Sequence, residues 1–167
     1  MDLEVIDNFL PSYQFQSLQN VLMGDNFAWY YREGIVDVPQ HGRFQLIHPF
    51  YVDGKPVSPY YSLLESGLSK LNIKRIVRIK ANLIPKTVFP RFNGYHIDME
   101  DVPSDLKVKT AILYVNTNNG YTKFKKGGKV KSVANRMVVF DSTLEHAGVT
   151  STNQNTRVVV NFNYEEQ

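Results

Sequence analysis

From Arg75 onward the chain returns repeatedly to apolar runs of strand length, and this recurrence limits its fold more than any other feature. The alternation Arg75-Ile76-Val77-Arg78-Ile79-Lys80 begins the series, and Val108 to Val115, Met137 to Phe140 and Val158 to Tyr164 continue it. Runs this short, separated by polar turns, predict strands rather than helices. Aromatic residues supply 13% of the chain, and side chains of that kind favour half-buried pleated surface over a helical bundle. The expected class is mainly β (α+β), with its helices near the start. Pro11-Ser12 followed by Phe15, Leu18, Val21 and Leu22 has helical spacing, and Gly24 is placed to end it. Ser58-Pro59 offers a cap and a first-turn proline ahead of Leu63, Leu64, Leu68 and Leu71, predicting a second helix. Both should brace the outside of the sheet. Between them, Pro39, Pro49, Pro56 and Pro59 with Gly34, Gly42 and Gly54 break residues 30–60 into an irregular segment of the kind that forms lids and binding loops.

At 167 residues the chain is expected to bury one core, with residues 1–167 as a single domain. It contains no cysteine, so disulfides, zinc–thiolate sites and thiol nucleophiles are excluded, and metal ligation falls to His, Asp and Glu. Met1-Asp2-Leu3-Glu4-Val5 carries no basic leader, and no apolar run approaches a membrane span; the expectation is a soluble, cytoplasmic protein. A net charge of +3 is too small to argue for a nucleic-acid binder. Lys123, Lys125, Lys126, Lys129 and Lys131 do cluster around Gly127-Gly128. A basic hairpin there suits an acidic partner or phosphate, and equally a solvated turn whose lysines prevent edge pairing.

His96-Ile97-Asp98 gives this β pattern a chemical meaning. Residues two apart on an extended strand project to the same face, so both side chains can reach one metal ion. His146 follows the buried run Arg136 to Asp141 and the polar turn Asp141-Ser142-Thr143, which places a histidine at a strand mouth. Two imidazoles and a carboxylate can cap one face of an iron(II) ion. Arg157 opens the next apolar run, so its guanidinium can point from a strand into the same cavity, where its planar fork suits a carboxylate. Separately, each residue has an ordinary reading: a surface His–Asp hydrogen bond, a turn histidine, a strand-edge charge. The conjunction favours a metal site.

These stretches resemble the iron(II) and 2-oxoglutarate-dependent dioxygenases, in particular the small prolyl-hydroxylase-like members of bacteria and their phages. The matching segments are Val5 to Pro11, Arg78 to Leu83, His96 to Asp98, Ala111 to Asn116, Asn135 to Asp141 and the Arg157 strand, in that order. The resemblance implies a double-stranded β-helix, a jelly roll of cupin-like shape. It further implies His96, Asp98 and His146 on iron, Arg157 on the 5-carboxylate of 2-oxoglutarate, and polar help from Tyr114 and Asn82. Fe(II), 2-oxoglutarate and O2 would then hydroxylate a C–H bond, with a peptidyl or protein side chain such as proline as the preferred substrate and a small molecule or nucleic acid as alternatives. A phage-encoded chain would work in the host cytoplasm. One departure stands out: many relatives carry Gly-Gly-Glu-Thr after the strand that follows His-x-Asp, whereas this chain has Asn118-Asn119-Gly120-Tyr121-Thr122.

Other aromatic and histidine residues stay open to two readings. His41 and His48, near Arg43 and Tyr51, can contact substrate or be ordinary loop histidines; Trp29, Tyr30 and Tyr31 can form a substrate wall or pack the first helix. Arg136 and Asn135 match the family pattern without an evident chemical role. The competing functional hypothesis is a non-catalytic double-stranded β-helix module that binds a sugar, peptide or nucleic acid. A metal hydrolase of cupin-like shape is a third, and it would not require Arg157.

Overall fold

A computed structural model describes residues 3–34, 43–99 and 106–167. Its strands are β1 (Leu3–Ile6), β2 (Tyr30–Glu33), β3 (Phe44–Val52), β4 (Lys55–Pro56), β5 (Ile73–Pro85), β6 (Val108–Tyr114), β7 (Tyr121–Phe124), β8 (Lys129–Lys131), β9 (Arg136–Asp141), β10 (His146–Val149) and β11 (Thr156–Glu166). Helices α1 (Ser12–Leu22) and α2 (Glu65–Leu68) accompany them. An eight-stranded sheet runs β1-β9-β6-β11-β5-β3-β2, with β4 paired to β3, and a three-stranded sheet runs β10-β7-β8. Every pairing is antiparallel. The two sheets make the expected jelly-roll, double-stranded β-helix.

The pleat of β11 divides the interior. Val158, Val160, Phe162 and Tyr164 turn towards α1 and join Ile79, Ala81, Ala111, Leu113, Phe15, Leu18 and Leu22 in the larger core. Their alternate neighbours turn towards the small sheet, where Val159, Ile112, Tyr114, Val138 and Phe140 meet Phe124 and Val130. Burial on both faces makes the stretch Val158 to Tyr164 apolar except at Asn161 and Asn163, which with the preceding Arg157 lie on the inter-sheet side. Those polar interruptions mark the site.

Helix α1 buries Phe15, Leu18 and Leu22 on the spacing expected of it. A Cβ at Gly24 would lie 2.7 Å from the Asn20 carbonyl oxygen, so the chain turns there where another residue would collide. The second helix is shorter than its sequence predicts: a 3-10 turn over Tyr61–Leu64, then the single turn of α2. Gly67, a poor helix former, lies in this turn and packs against Phe9 and Leu10, each 3.4 Å from where a Cβ would stand. Residues 30–60 also depart from expectation. Instead of a long irregular stretch they contain β2 and β3, and Pro49 is accommodated where the β3–β5 register shifts between Pro49 and Tyr51. A proline lacks an N–H for the ladder, and a bulge is where that loss costs least. Pro39, His41 and Gly42 lie outside the described residues.

The Asn135 and Arg136 pair proves structural. Asn135 adopts φ +63, and its side chain accepts from Leu10 N at 2.9 Å and donates to Leu10 O at 2.8 Å. Arg136 grips Asp7 with Nε at 2.6 Å and Nη2 at 2.9 Å. Together they fasten the segment ahead of α1 to the sheet. The lysine-rich stretch is the expected hairpin, β7 paired with β8.

Candidate active site

Between the sheets lies a cavity of about 230 Å³ whose lining includes His96, Asp98, His146, Arg157 and Asn82. The metal candidates converge as their spacing predicts, by a different local route. His96 and Asp98 do not belong to a strand. Their segment runs beside β10 and is held by an isolated antiparallel bridge, with His96 N donating to His146 O and His146 N to His96 O, both at 3.0 Å. Asp98 N adds a 3.3 Å bond to Ser142 O. This pairing reproduces strand alternation locally, so the two side chains still share a face.

The ligand atoms offered by His96, Asp98 and His146 lie within 4.8 Å of one another. Asp98 is the hub, with Oδ1 3.8 Å from His96 Nε2 and Oδ2 3.8 Å from His146 Nε2. His146 Nδ1 donates to Leu144 O at 2.9 Å, which fixes the tautomer that leaves Nε2 free for a metal. Burial and the neighbouring His146 hold the His96 imidazole below its ordinary pKa, in the neutral form that ligates. For Asp98, burial pushes the carboxyl up, but His146, His96 and a hydrogen bond from Thr110 outweigh it and hold the group ionised below its usual range. Thr110 Oγ1 donates to Asp98 Oδ2 at 2.8 Å, and Asn163 Nδ2 reaches the same oxygen at 3.3 Å. Arg78 in turn clamps Asn163 Oδ1 through Nε and Nη2 at 3.3 and 3.1 Å. Two imidazoles beside one oriented carboxylate fit a divalent first-row cation.

Arg157 forms the opposite end and is only 3% exposed. Its described partners are neutral: Nε donates to Ser132 Oγ and Nη2 to Thr122 Oγ1, each at 3.0 Å, and the guanidinium sits 5.5 Å from the centre of the Tyr114 ring. Burial lowers its pKa, while Tyr114 opposes the shift and no carboxylate contributes. A buried guanidinium held by hydroxyls alone leaves a cationic socket for an anion. Gly120 makes room for it, because a Cβ there would stand 2.9 Å from Arg157 Cδ and 2.8 Å from Val149 O.

Tyr114 lies beneath this socket rather than on the cavity lining: its hydroxyl donates to Thr122 Oγ1 at 2.7 Å, so it steadies the group that holds Arg157. Asn82 does line the cavity, and its Oδ1 has no hydrogen-bond partner among the described residues. Thr122 and Ser132, which seat Arg157, and Thr110 and Asn163, which seat Asp98, were not singled out by sequence. Thr122 lies on β7, at the end of the stretch Asn118 to Thr122 that departs from the Gly-Gly-Glu-Thr pattern. For Asn163 a signal existed: like Asn161, it is a polar residue in phase with Arg157 within the otherwise apolar run Val158 to Tyr164.

Several other candidates lie away from the cavity. His48 sits in β3, 4% exposed, with Nδ1 on Ala28 O at 2.7 Å and Nε2 on Ser58 Oγ at 2.8 Å, packed against Phe27 and Phe50. It is a core histidine. Trp29 packs at the edge of the larger core, Tyr30 and Tyr31 are exposed, and none of them lines the cavity. His41 lies outside the described residues.

No protein-family model matches the sequence, and no curated protein matches it. Solved structures do. The chain is similar in fold to a viral collagen prolyl hydroxylase from Paramecium bursaria Chlorella virus-1, solved with 2-oxoglutarate, at TM-score 0.65 and 15% identity over 99% of this chain and 96% of that one. It is similar also to a Trichoplax adhaerens prolyl hydroxylase in complex with a hypoxia-inducible-factor peptide fragment, at TM-score 0.64 and 16% identity over 98% and 83%. HygX from Streptomyces hygroscopicus, with nickel and 2-oxoglutarate bound, matches at TM-score 0.65 and 12% identity over 99% and 83%. The fold is therefore that of the 2-oxoglutarate and iron(II) oxygenases.

Proposed function

We propose that the protein is an Fe(II)- and 2-oxoglutarate-dependent dioxygenase that hydroxylates an unactivated C–H bond. The observation that carries this reading is one cavity holding a His96–Asp98–His146 cluster at one end and a buried, carboxylate-free Arg157 at the other. A metal hydrolase needs the first and not the second. A binding module needs neither.

When bound, iron(II) with 2-oxoglutarate and O2 supplies an oxidant strong enough for a C–H bond: the substrate gains a hydroxyl, and the keto acid leaves as succinate and carbon dioxide. His96, Asp98 and His146 would hold the metal, and as three ligands they would leave positions on it for the reactants. Arg157, its orientation fixed by Thr122 and Ser132, would pair the far carboxylate of the cosubstrate. Tyr114 steadies Thr122, and Asn82 offers its unpartnered amide oxygen to the bound molecules. Ile84, Ile112 and Val159 line the cavity with apolar surface that excludes water from the oxidant.

A peptidyl side chain, proline included, is the preferred substrate. The likeness to two prolyl hydroxylases, one of them holding a peptide, supports it. Cytoplasmic residence accords with a cysteine-free chain and with a compartment that keeps iron ferrous. Among the described residues no helix is long and apolar enough to cross a membrane. Anaerobic titration of the protein with iron(II) and 2-oxoglutarate tests the reading. A visible metal-to-ligand charge-transfer band is expected, and it should vanish in His146→Ala; a folded protein that gives no band would favour the binding module.

A further inference from the structure

The small sheet has a second face, turned away from the cavity, on which cations and rings alternate. Thr122, Phe124 and Val130 point inward, so the pleat turns Tyr121, Lys123, Lys129 and Lys131 outward. Register sets Tyr121 beside Lys131 and Val149, and Lys123 beside Lys129 and Ala147. The isolated bridge between Phe92 and Val149 brings Phe92 to the border of the same face. All three lysines are exposed, and Phe92 is 40% exposed.

Lys129 Nζ lies 4.8 Å from the centre of the Tyr121 ring, and Lys123 Nζ lies 5.8 Å from that of Phe92. Phe92 packs edge-on against Tyr95, with ring centres 4.8 Å apart, and Tyr95 lines the cavity. Lys129, Tyr121, Lys123, Phe92 and Tyr95 thus form a continuous track from the hairpin to the candidate active site. Backbone bonds on both sides of Phe92 fasten its end of the track: Thr150 N donates to Arg91 O and Asn93 N to Gly148 O, each at 3.1 Å. Lys125, nearer the turn, has a carboxylate of its own, Glu145 at 2.6 Å, whereas the described contacts of Lys123 and Lys129 are with rings. A lysine that serves only to block edge pairing needs neither a ring beneath it nor a route to a cavity.

We infer that this track docks an acidic flank of the peptide substrate, its carboxylates meeting Lys123 and Lys129 while the residue to be oxidised enters past Tyr95. The inference rests on the dioxygenase reading and its peptide substrate. A carboxylate can pair with an ammonium that stays over its ring. A nucleic-acid strand stacks its bases on ring faces, and here a lysine already sits over each ring. Distance sets the motif. Three steps of about 4.8 Å separate β8, β7, β10 and the Phe92 segment, roughly 14 Å that an extended peptide spans in about four residues. The acidic residues therefore stand about four positions from the oxidised one.

Fluorescence anisotropy of the zinc-loaded protein, saturated with 2-oxoglutarate and catalytically inert, tests this with two labelled peptides. One is Glu-Glu-Ala-Ala-Ala-Pro-Ala-Ala-Ala-Glu-Glu with blocked ends, and the other carries glutamine in place of every glutamate. The acidic peptide should bind about tenfold more tightly at low salt, with the preference shrinking at physiological strength. Lys123→Gln combined with Lys129→Gln should erase the preference without lowering the melting temperature, and Lys126→Gln in the hairpin turn should keep it. Equal or undetectable affinity for the two peptides, or an equal loss in Lys126→Gln, would overturn the inference. So would a single-stranded thymidine decamer that binds more tightly than the acidic peptide and displaces it, an outcome that would make the face a nucleic-acid surface. Failure of 2-oxoglutarate itself to bind the zinc-loaded protein, read by calorimetry, would instead overturn the dioxygenase reading, so the two failures are distinguishable.

Discussion

The two ends of the cavity each bury a charge, and they treat it in opposite ways. Asp98 hangs on a segment outside the named strands, yet its carboxylate is surrounded by groups that want it ionised: two imidazoles, the Thr110 hydroxyl and the Asn163 amide. Arg157 stands on β11, a central strand of the larger sheet, yet its described partners are hydroxyls and a ring. One end is satisfied before any ligand arrives. The other is completed only by an anion. A weakly supported backbone can therefore carry the better-compensated charge, because compensation comes from what surrounds the side chain.

Mutations at the two ends should diverge accordingly. The largest effect is expected for Asp98→Ala, which should abolish succinate formation and iron binding together; turnover surviving in this variant would end the metal assignment. Arg157→Leu should raise the 2-oxoglutarate requirement by about 100-fold, as expected when a charge-assisted pair is lost. It should also leave the ligand-free protein as stable as before, or more so, since it removes a buried charge with neutral partners. A melting curve in which ligand-free Arg157→Leu unfolds well below the parent would break the comparison.

Thr110→Val sharpens it further. Loss of the 2.8 Å bond should weaken metal affinity by about 10-fold to 100-fold while leaving the 2-oxoglutarate requirement at saturating metal nearly unchanged. Gly120→Ala should do the reverse. Its methyl group would press on Arg157 Cδ and Val149 O, costing about 1–3 kcal/mol in urea unfolding and weakening 2-oxoglutarate without touching the metal.

The smallest effect is a pH response that lies in neither end. Burial holds His48 below its ordinary 6.5, so between its folded pKa and 6.5 the unfolded chain binds more proton than the folded one. Stability should rise with pH through that window and level off above it. His48→Gln should flatten the melting temperature between pH 5 and 7, and an unchanged slope would assign the response elsewhere.

How much of this was legible follows from how each contact is made. The candidate triad could be read because His96 and Asp98 are two residues apart and because His146 and Arg157 border apolar runs, so strand periodicity alone aims them. Thr122, Ser132, Thr110 and Asn163 could not be found that way. Thr110 and Asp98 are separated by 12 positions, Asn163 and Asp98 by 65, and Arg157 and Ser132 by 25, and a threonine or serine in a strand carries no sign of which distant group it faces. His48 misled for a related reason: the prolines around it suggested a loop, while β3 absorbs Pro49 at a register shift and buries the imidazole among aromatics.

Local order along the chain was enough to determine the β class, the first helix, the basic hairpin and which residues are aimed inward, because alternation and capping act over a few residues. Pairing register decided the rest. It determined which hydroxyls stand under Arg157, which amide braces Asp98, and that Arg32, Arg78 and Lys80 share one cavity, since these contacts join strands distant in sequence and exist only once the sheets have formed.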